Sequence, residues 1–283
     1  MGRLQITLLL AVLAGPAGAR TDPRAISLAL DAAWRARDLE GVAALFAEGA
    51  TLYDGMGRTA TGRAAIRAAV AGAFADRLTL SATGRREVRG ARVTWTADFL
   101  AGDVPLRAAR WAVVASGRLV EVGAELDEAS RDRLEAARRE RLRGLYRAFV
   151  AEVLNAHNPA RLEALVAPDV VDHTPRPGQP GTADGFRRGF ADLMAAFPDM
   201  KTEVVRLAVD EDLVAGVLAT RGTWKGPLAG QPGNGRTFTI TELRTFRFRD
   251  GRIVESWGLA DRAALDAQLG LAAPASPPAR KAP

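Results

Sequence analysis

The feature that most constrains this chain is an internal repeat. GRLVEVGAELD at 117–127 and GRIVESWGLAD at 251–261 share one frame, Gly-Arg-apolar-Val-Glu with aspartate at the eleventh position, and only the second copy carries a tryptophan. Upstream, DLEGVAALFAEGAT at 38–51 pairs with NPARLEALVAPDVV at 158–171 at an offset of 120, against 134 for Asp127 and Asp261. On the first register His173 falls opposite Tyr53. Two related units therefore fill the 283 residues, a length beyond the roughly 100 to 200 usual for one domain, and each is large enough to bury a core. The second copy is about 14 residues longer between these anchors. Part of that excess is expected in KGPLAGQPGNGRTF, 225–238, a glycine- and proline-rich loop between two strands.

Both units read as helices followed by antiparallel strands. Asp22-Pro23 is a helix start, with the aspartate as cap and proline at the first helical position. Helices are predicted over 24–37, 39–47 and 61–74, then a strand over 93–99 and a hairpin over 110–122 turning at Ser116-Gly117. The second unit opens on the apolar stripe Leu142, Tyr146, Phe149 and Val153. Helices first and sheet afterwards make each unit α+β. The expected boundaries are 22–127 and 142–271, joined by a charged helix at 128–141 and followed by an alanine- and proline-rich tail, 272–283, predicted to be disordered. The two units are expected to pack as a pseudo-dimer, or the chain to form a homodimer.

Residues 1–19 combine one arginine, an apolar run from Leu4 to Leu13 and the small-residue motif Ala17-Gly18-Ala19, the pattern of a secretory signal peptide. The run is shorter than the roughly 20 residues of a spanning helix, so an exported protein, periplasmic or secreted and without stable membrane insertion, is expected. With no cysteine, disulfides, thiol nucleophiles and thiolate metal sites are excluded. The net charge of +6 does not point to nucleic acid, because the densest basic segment, 130–147, alternates Arg131, Arg133, Arg138 and Arg139 with Asp132, Glu135 and Glu140.

VVDHTP at 170–175, FRRGFADLMAAFPDM at 186–200, RGTWKGPLAGQPGNGRTFTI at 221–240 and DGRIVESWGLADRAALDAQLG at 250–270 resemble the SnoaL-like polyketide cyclases of the NTF2-like superfamily. ALFAEGATLYDGMGRTATGRAAI at 44–66 resembles a more generic NTF2-like domain. The resemblance implies tandem cones, each a curved antiparallel sheet over about three helices, and in the second cone a pocket for a small apolar carbonyl compound. It further implies cofactor-independent acid/base chemistry, an aldol cyclisation or an isomerisation, by an acidic residue near the end of the last strand. Exported ligand binding without chemistry is the alternative. Trp224 and Ser256 stand where relatives often carry histidine.

Asp261 and His173 are the catalytic candidates. If the period of two holds, Ile253, Glu255, Trp257, Leu259 and Asp261 share a face, which sets the carboxylate beside an indole. Apolar surroundings would raise its pKa and suit it to proton transfer. Asp261 also opens the helical segment DRAALDAQLG, where aspartate is a favoured cap of low pKa. His173, at the end of a short strand, can donate to a carbonyl or share a proton with Asp261, or bond the backbone at the sheet edge. Trp224 and Trp257 are candidate pocket walls. Phe190, Met194 and Phe197 fall at helical spacing, and Glu242 is either a second buried acid or a surface residue paired with arginine. No metal site is expected from two histidines at this spacing. No cofactor is expected either, since phosphate-loop, GxSxG and HExxH motifs are missing.

Overall fold

The computed structural model describes residues 22–176, 178–228 and 230–271. The expected signal peptide at 1–19 and the tail at 272–283 lie outside the described residues. The chain divides into two units between Ala137 and Arg138.

In unit 1, Asp22 caps α1 (Pro23–Arg35) by accepting from the Arg24 N–H at 2.9 Å, and Asp38 caps α2 (Leu39–Ala44) through Gly41 at 2.8 Å. The predicted second helix ends early because Phe46 already begins β1 (Phe46–Tyr53). Then come β2 (Thr59–Thr61), α3 (Arg63–Ala75), β3 (Leu78–Thr83), β4 (Glu87–Arg89), β5 (Arg92–Ala101), β6 (Val104–Ala115) and β7 (Arg118–Leu126). The strand order is β2-β1-β7-β6-β5-β3, with β4 also on β5, and β1 runs parallel to β7. The β6–β7 hairpin turns where predicted, with Ser116 and Gly117 both at positive φ (49° and 73°), the geometry that suits a tight hairpin to strand twist.

α4 (Glu128–Ala148) crosses the boundary and continues as a π-helix, Phe149–Asn155. The predicted stripe Leu142, Tyr146, Phe149 and Val153 is buried along it. A short 3-10 turn (Pro159–Arg161) and α5 (Leu162–Leu165) lead into β8 (Val166–Asp172), α6 (Ala183–Ala196), β9 (Lys201–Asp210), β10 (Leu213–Thr223), β11 (Thr237–Arg249), β12 (Arg252–Ala260) and α7 (Arg262–Leu269). The order is β8-β12-β11-β10-β9, with β8 parallel to β12, so unit 2 repeats the plan of unit 1. Each unit is an α+β fold with a curved, open sheet of the NTF2-like kind. The β10–β11 connection, Trp224 to Arg236, replaces the two residues Gly102 and Asp103 between β5 and β6, and so accounts for most of the extra length.

Each sheet buries one face against its helices. In unit 2 the rings of Tyr146, Phe149, Phe186, Phe190 and Phe246 meet at centroid distances of 4.8 to 6.4 Å. Burying such a side chain is worth roughly 1.5–3 kcal/mol, so this cluster is a principal source of the unit's stability.

Candidate functional site

A single extra residue decides which side chains of β12 reach the interior of unit 2. Phe248 pairs with Ile253 and Arg247 with Glu255, leaving Val254 as a bulge. Ile253, Ser256, Gly258 and Ala260 therefore lie on the inward face, opposite Phe248, Phe246, Arg244 and Glu242 of β11. Glu255, Trp257 and Leu259 are turned outward. The shared face expected from strict alternation is thus broken at Val254, because a bulge sets two residues against one and reverses everything beyond it.

Asp261 lies at the end of this strand, exposed, and its Oδ1 accepts the Ala264 N–H at 2.9 Å as the cap of α7. His173 lies on the outward side. Its ring stacks on Trp257 at 4.5 Å with 5° between planes, and its Nε2 is 2.9 Å from Glu255 Oε2. Glu255 in turn meets Arg247 at 3.0 Å, and Arg247 meets Asp212 at 2.6 Å. The fold brings His173 and Trp257 together and does not bring Asp261 into contact with either.

Unit 1 builds a related outward pair differently. Gly123 occupies the repeat position of Trp257, and the indole of Trp111 from the neighbouring strand β6 fills that space; a Cβ on Gly123 would stand 2.0 Å from it. Trp111 lies 6.2 Å from Tyr53, the counterpart of His173, and the two line a groove of about 440 Å³ with Asp54, Met56 and Glu125.

The inward polar group of unit 2 is carried by β11. Glu242 and Arg244 are about one-sixth and one-fifth exposed, with Arg244 Nε 3.7 Å from Glu242 Oε1. The Arg244 guanidinium lies over the Phe190 ring at 5.5 Å. The Tyr146 hydroxyl donates to the Arg244 carbonyl at 3.0 Å, and burial pushes its pKa well above the ordinary tyrosine value. Gly216 makes this approach possible, since a Cβ there would lie 2.2 Å from the Tyr146 oxygen. Ser256 Oγ is buried beside this face with no hydrogen-bond partner among the described residues.

The remaining candidates line or support this interior. Phe190, Met194 and Phe197 are buried on and just beyond α6. Trp224 is buried, and its indole N–H donates to Gly226 O at 2.7 Å, while its backbone N–H and C=O bond Arg236 and Gly235 and so close the long loop. Sequence reasoning missed Arg244 and read Tyr146 only as part of an apolar stripe. The signal for Arg244 was present: in TFTITELRTFRFR every second residue is apolar except Glu242 and Arg244.

Unit 1 has an ionic counterpart. Arg110, at the repeat position of Arg244, pairs with Asp31 of α1 at 2.8 Å; Asp31 also pairs with Arg86, whose Nε donates to Ser27 Oγ at 2.9 Å. Both guanidiniums lie over Trp95, at 5.1 and 4.8 Å. Burial pulls the Arg110 pKa down and Asp31 opposes that.

No curated protein matches the chain. The model of the SnoaL-like polyketide cyclase family matches residues 144–269, and that of the SnoaL-like domain matches residues 28–122. Among solved structures, IdmH of Streptomyces antibioticus is 35% identical over 46% of this chain and 99% of its own, with a TM-score of 0.41. A SnoaL-like polyketide cyclase of Agrobacterium tumefaciens is 27% identical over 46% of this chain and 98% of its own, with a TM-score of 0.39. TsrD of Streptomyces laurentii is 24% identical over 47% and 98%, with a TM-score of 0.43. Each half of the chain carries a SnoaL-like domain, and the protein belongs to the SnoaL-like family of the NTF2-like superfamily.

Proposed function

We propose that unit 2 binds a small apolar carbonyl compound on the inward face of its sheet and moves a proton on it without a cofactor, the step that starts an aldol cyclisation or an isomerisation. The observation that carries this reading is the Glu242–Arg244 pair, set on a largely apolar face beside Phe190 and Tyr146 and still partly open to solvent. Glu242 takes the proton from the carbon next to the carbonyl, and Arg244 offers its guanidinium to the oxygen that gains charge. Glu242 replaces Asp261 in this role because the Asp261 carboxylate is used as a helix cap. His173 is bonded to Glu255 on the outward side, so a part for it in the same step requires a different rotamer. We further propose that residues 1–19 direct export.

The test needs no knowledge of the product. Deuterium wash-in at the carbon between the carbonyls of a panel of β-keto esters is followed by NMR. Wash-in above background that falls roughly 10²-fold or more in Glu242→Gln, with Asp261→Asn unaffected, is the expected result. The opposite pattern returns the chemistry to Asp261. Binding without wash-in leaves an exported ligand-binding protein.

A further inference from the structure

The outward groove of unit 1 is built by strand register. Tyr53 of β1 pairs with Gly123 of β7, and Gly123 pairs with Trp111 of β6, so the two rings stand in one row across three strands with the indole covering the glycine between them. Glu125 follows Gly123 by two residues and stands one step further along the same face. The wall beside it is the β1–β2 turn, which is fixed in advance. There the Asp54 carboxylate accepts the N–H groups of Met56 and Arg58 at 2.9 and 2.8 Å and the Arg58 side chain at 2.6 Å. Arg131, near the start of α4, completes the lining.

The lining carries three charged side chains, and their commitments differ. Asp54 is occupied as the lock of its turn. Glu125 and Arg131 are exposed, and among the described residues neither has an ion pair or a side-chain hydrogen bond, with the other or with any third group. Their charged neighbours are engaged, Asp127 with the Ser130 N–H at 2.8 Å and Arg133 with the Pro105 carbonyl at 2.7 Å. The two free charges are opposite in sign and come from either side of the β7–α4 junction, so both belong to one end of a cavity of about 440 Å³, a volume within the range of small-molecule sites. The Arg92 guanidinium already lies over the Trp111 ring at 5.4 Å, which leaves Glu125 and not the indole to receive a ligand cation.

We infer that this groove binds a zwitterion with an aromatic side chain, a free α-amino acid of the phenylalanine kind. Glu125 takes the ammonium, Arg131 takes the carboxylate with its forked donors, and Tyr53, Trp111 and Met56 receive the ring. All of the lining belongs to unit 1, so this site does not depend on the chemistry proposed for unit 2.

The full chain is titrated by calorimetry at low ionic strength with phenylalanine, N-acetylphenylalanine and phenylalanine amide, which keep the ring and lose the ammonium or the carboxylate in turn. The wild type is expected to bind the free amino acid roughly threefold or more tightly than either capped form, the effect of one solvent-exposed ion pair. Glu125→Gln is expected to bind phenylalanine and its N-acetyl derivative alike, and Arg131→Gln phenylalanine and its amide alike. Binding of none of the three by the wild type, equal binding of all, tighter binding of a capped form, or a preference that survives its own variant overturns the inference. Both substituted side chains are exposed, and the wild-type comparison decides the matter even where a variant does not fold.

Discussion

Asp31→Ala is the most informative perturbation of unit 1. The Asp31 side chain is 1% exposed and lies between two guanidiniums that are each 6% exposed. Removing it leaves two buried positive charges facing one another with Ser27 Oγ as the remaining partner of Arg86. Breaking a buried ion pair from one side costs about 3–5 kcal/mol, because the abandoned charge keeps its desolvation penalty. Since a whole domain is stable by only about 5–15 kcal/mol, the loss is a large fraction of the total. At roughly 4 °C or more per kcal/mol for a unit of this size, the midpoint falls by on the order of 15 °C.

Tryptophan fluorescence during thermal or urea unfolding reads the effect, because Trp34, Trp95 and Trp111 report on unit 1 and Trp224 and Trp257 on unit 2. The unit 1 signal is expected to move and the unit 2 signal to stay. Replacing the set together, Asp31→Leu with Arg86→Met and Arg110→Met, is expected to recover most of the loss, since no charge is then buried. A cost below about 1 kcal/mol for Asp31→Ala, or a triple variant less stable than the single one, refutes the reasoning.

Two further outcomes are expected. The Asp199 carboxylate accepts from the Thr223 side chain and backbone and is bridged by Lys225 at 3.2 Å, which holds its pKa at about 2. Because the folded value lies below the roughly 3.9 of a free aspartate, its contribution is complete above about pH 5 and is lost as pH falls toward 2; Asp199→Asn should flatten that part of an acid-unfolding curve, and a carboxyl NMR midpoint near 4 would count against it. If residues 1–19 direct export, intact mass of the secreted protein should place its amino terminus at Arg20; an uncleaved chain retained with the cells opposes that.

The parts of the fold that repeat at short range were legible in the sequence. Two offsets fixed the tandem plan, Asp22-Pro23 located a helix start, and Ser116-Gly117 located a hairpin turn. The β10–β11 loop announced itself by its glycines and prolines. The faces of β12 were not legible, because alternation counts residues and a bulge at Val254 spends one without advancing the pairing. The Asp31 cluster was hidden for another reason: its partners lie 55 and 79 residues away, and in the sequence each looks like an ordinary surface charge. The trace it leaves is that Ser27 and Asp31 fall on the same buried stripe of α1 as Ile26 and Leu30. Glu242 and Arg244 stood in plain view as two charges on an alternating apolar strand.

The outward indole stands on different strands of the two hairpins, which limits how segments of the two units can be interchanged. In unit 1 the ring belongs to β6 and covers a glycine on β7; in unit 2 it belongs to β12 and stands beside Thr245 on β11. A crossover that transfers the whole hairpin, β6–β7 for β11–β12, carries ring and space together. A crossover at the turn between the two strands yields one product with two indoles contending for one place and a reciprocal product with none. Ring and space are thus matched hairpin by hairpin and not strand by strand, so a chimera of the two units keeps this packing only when its junctions fall outside the hairpin.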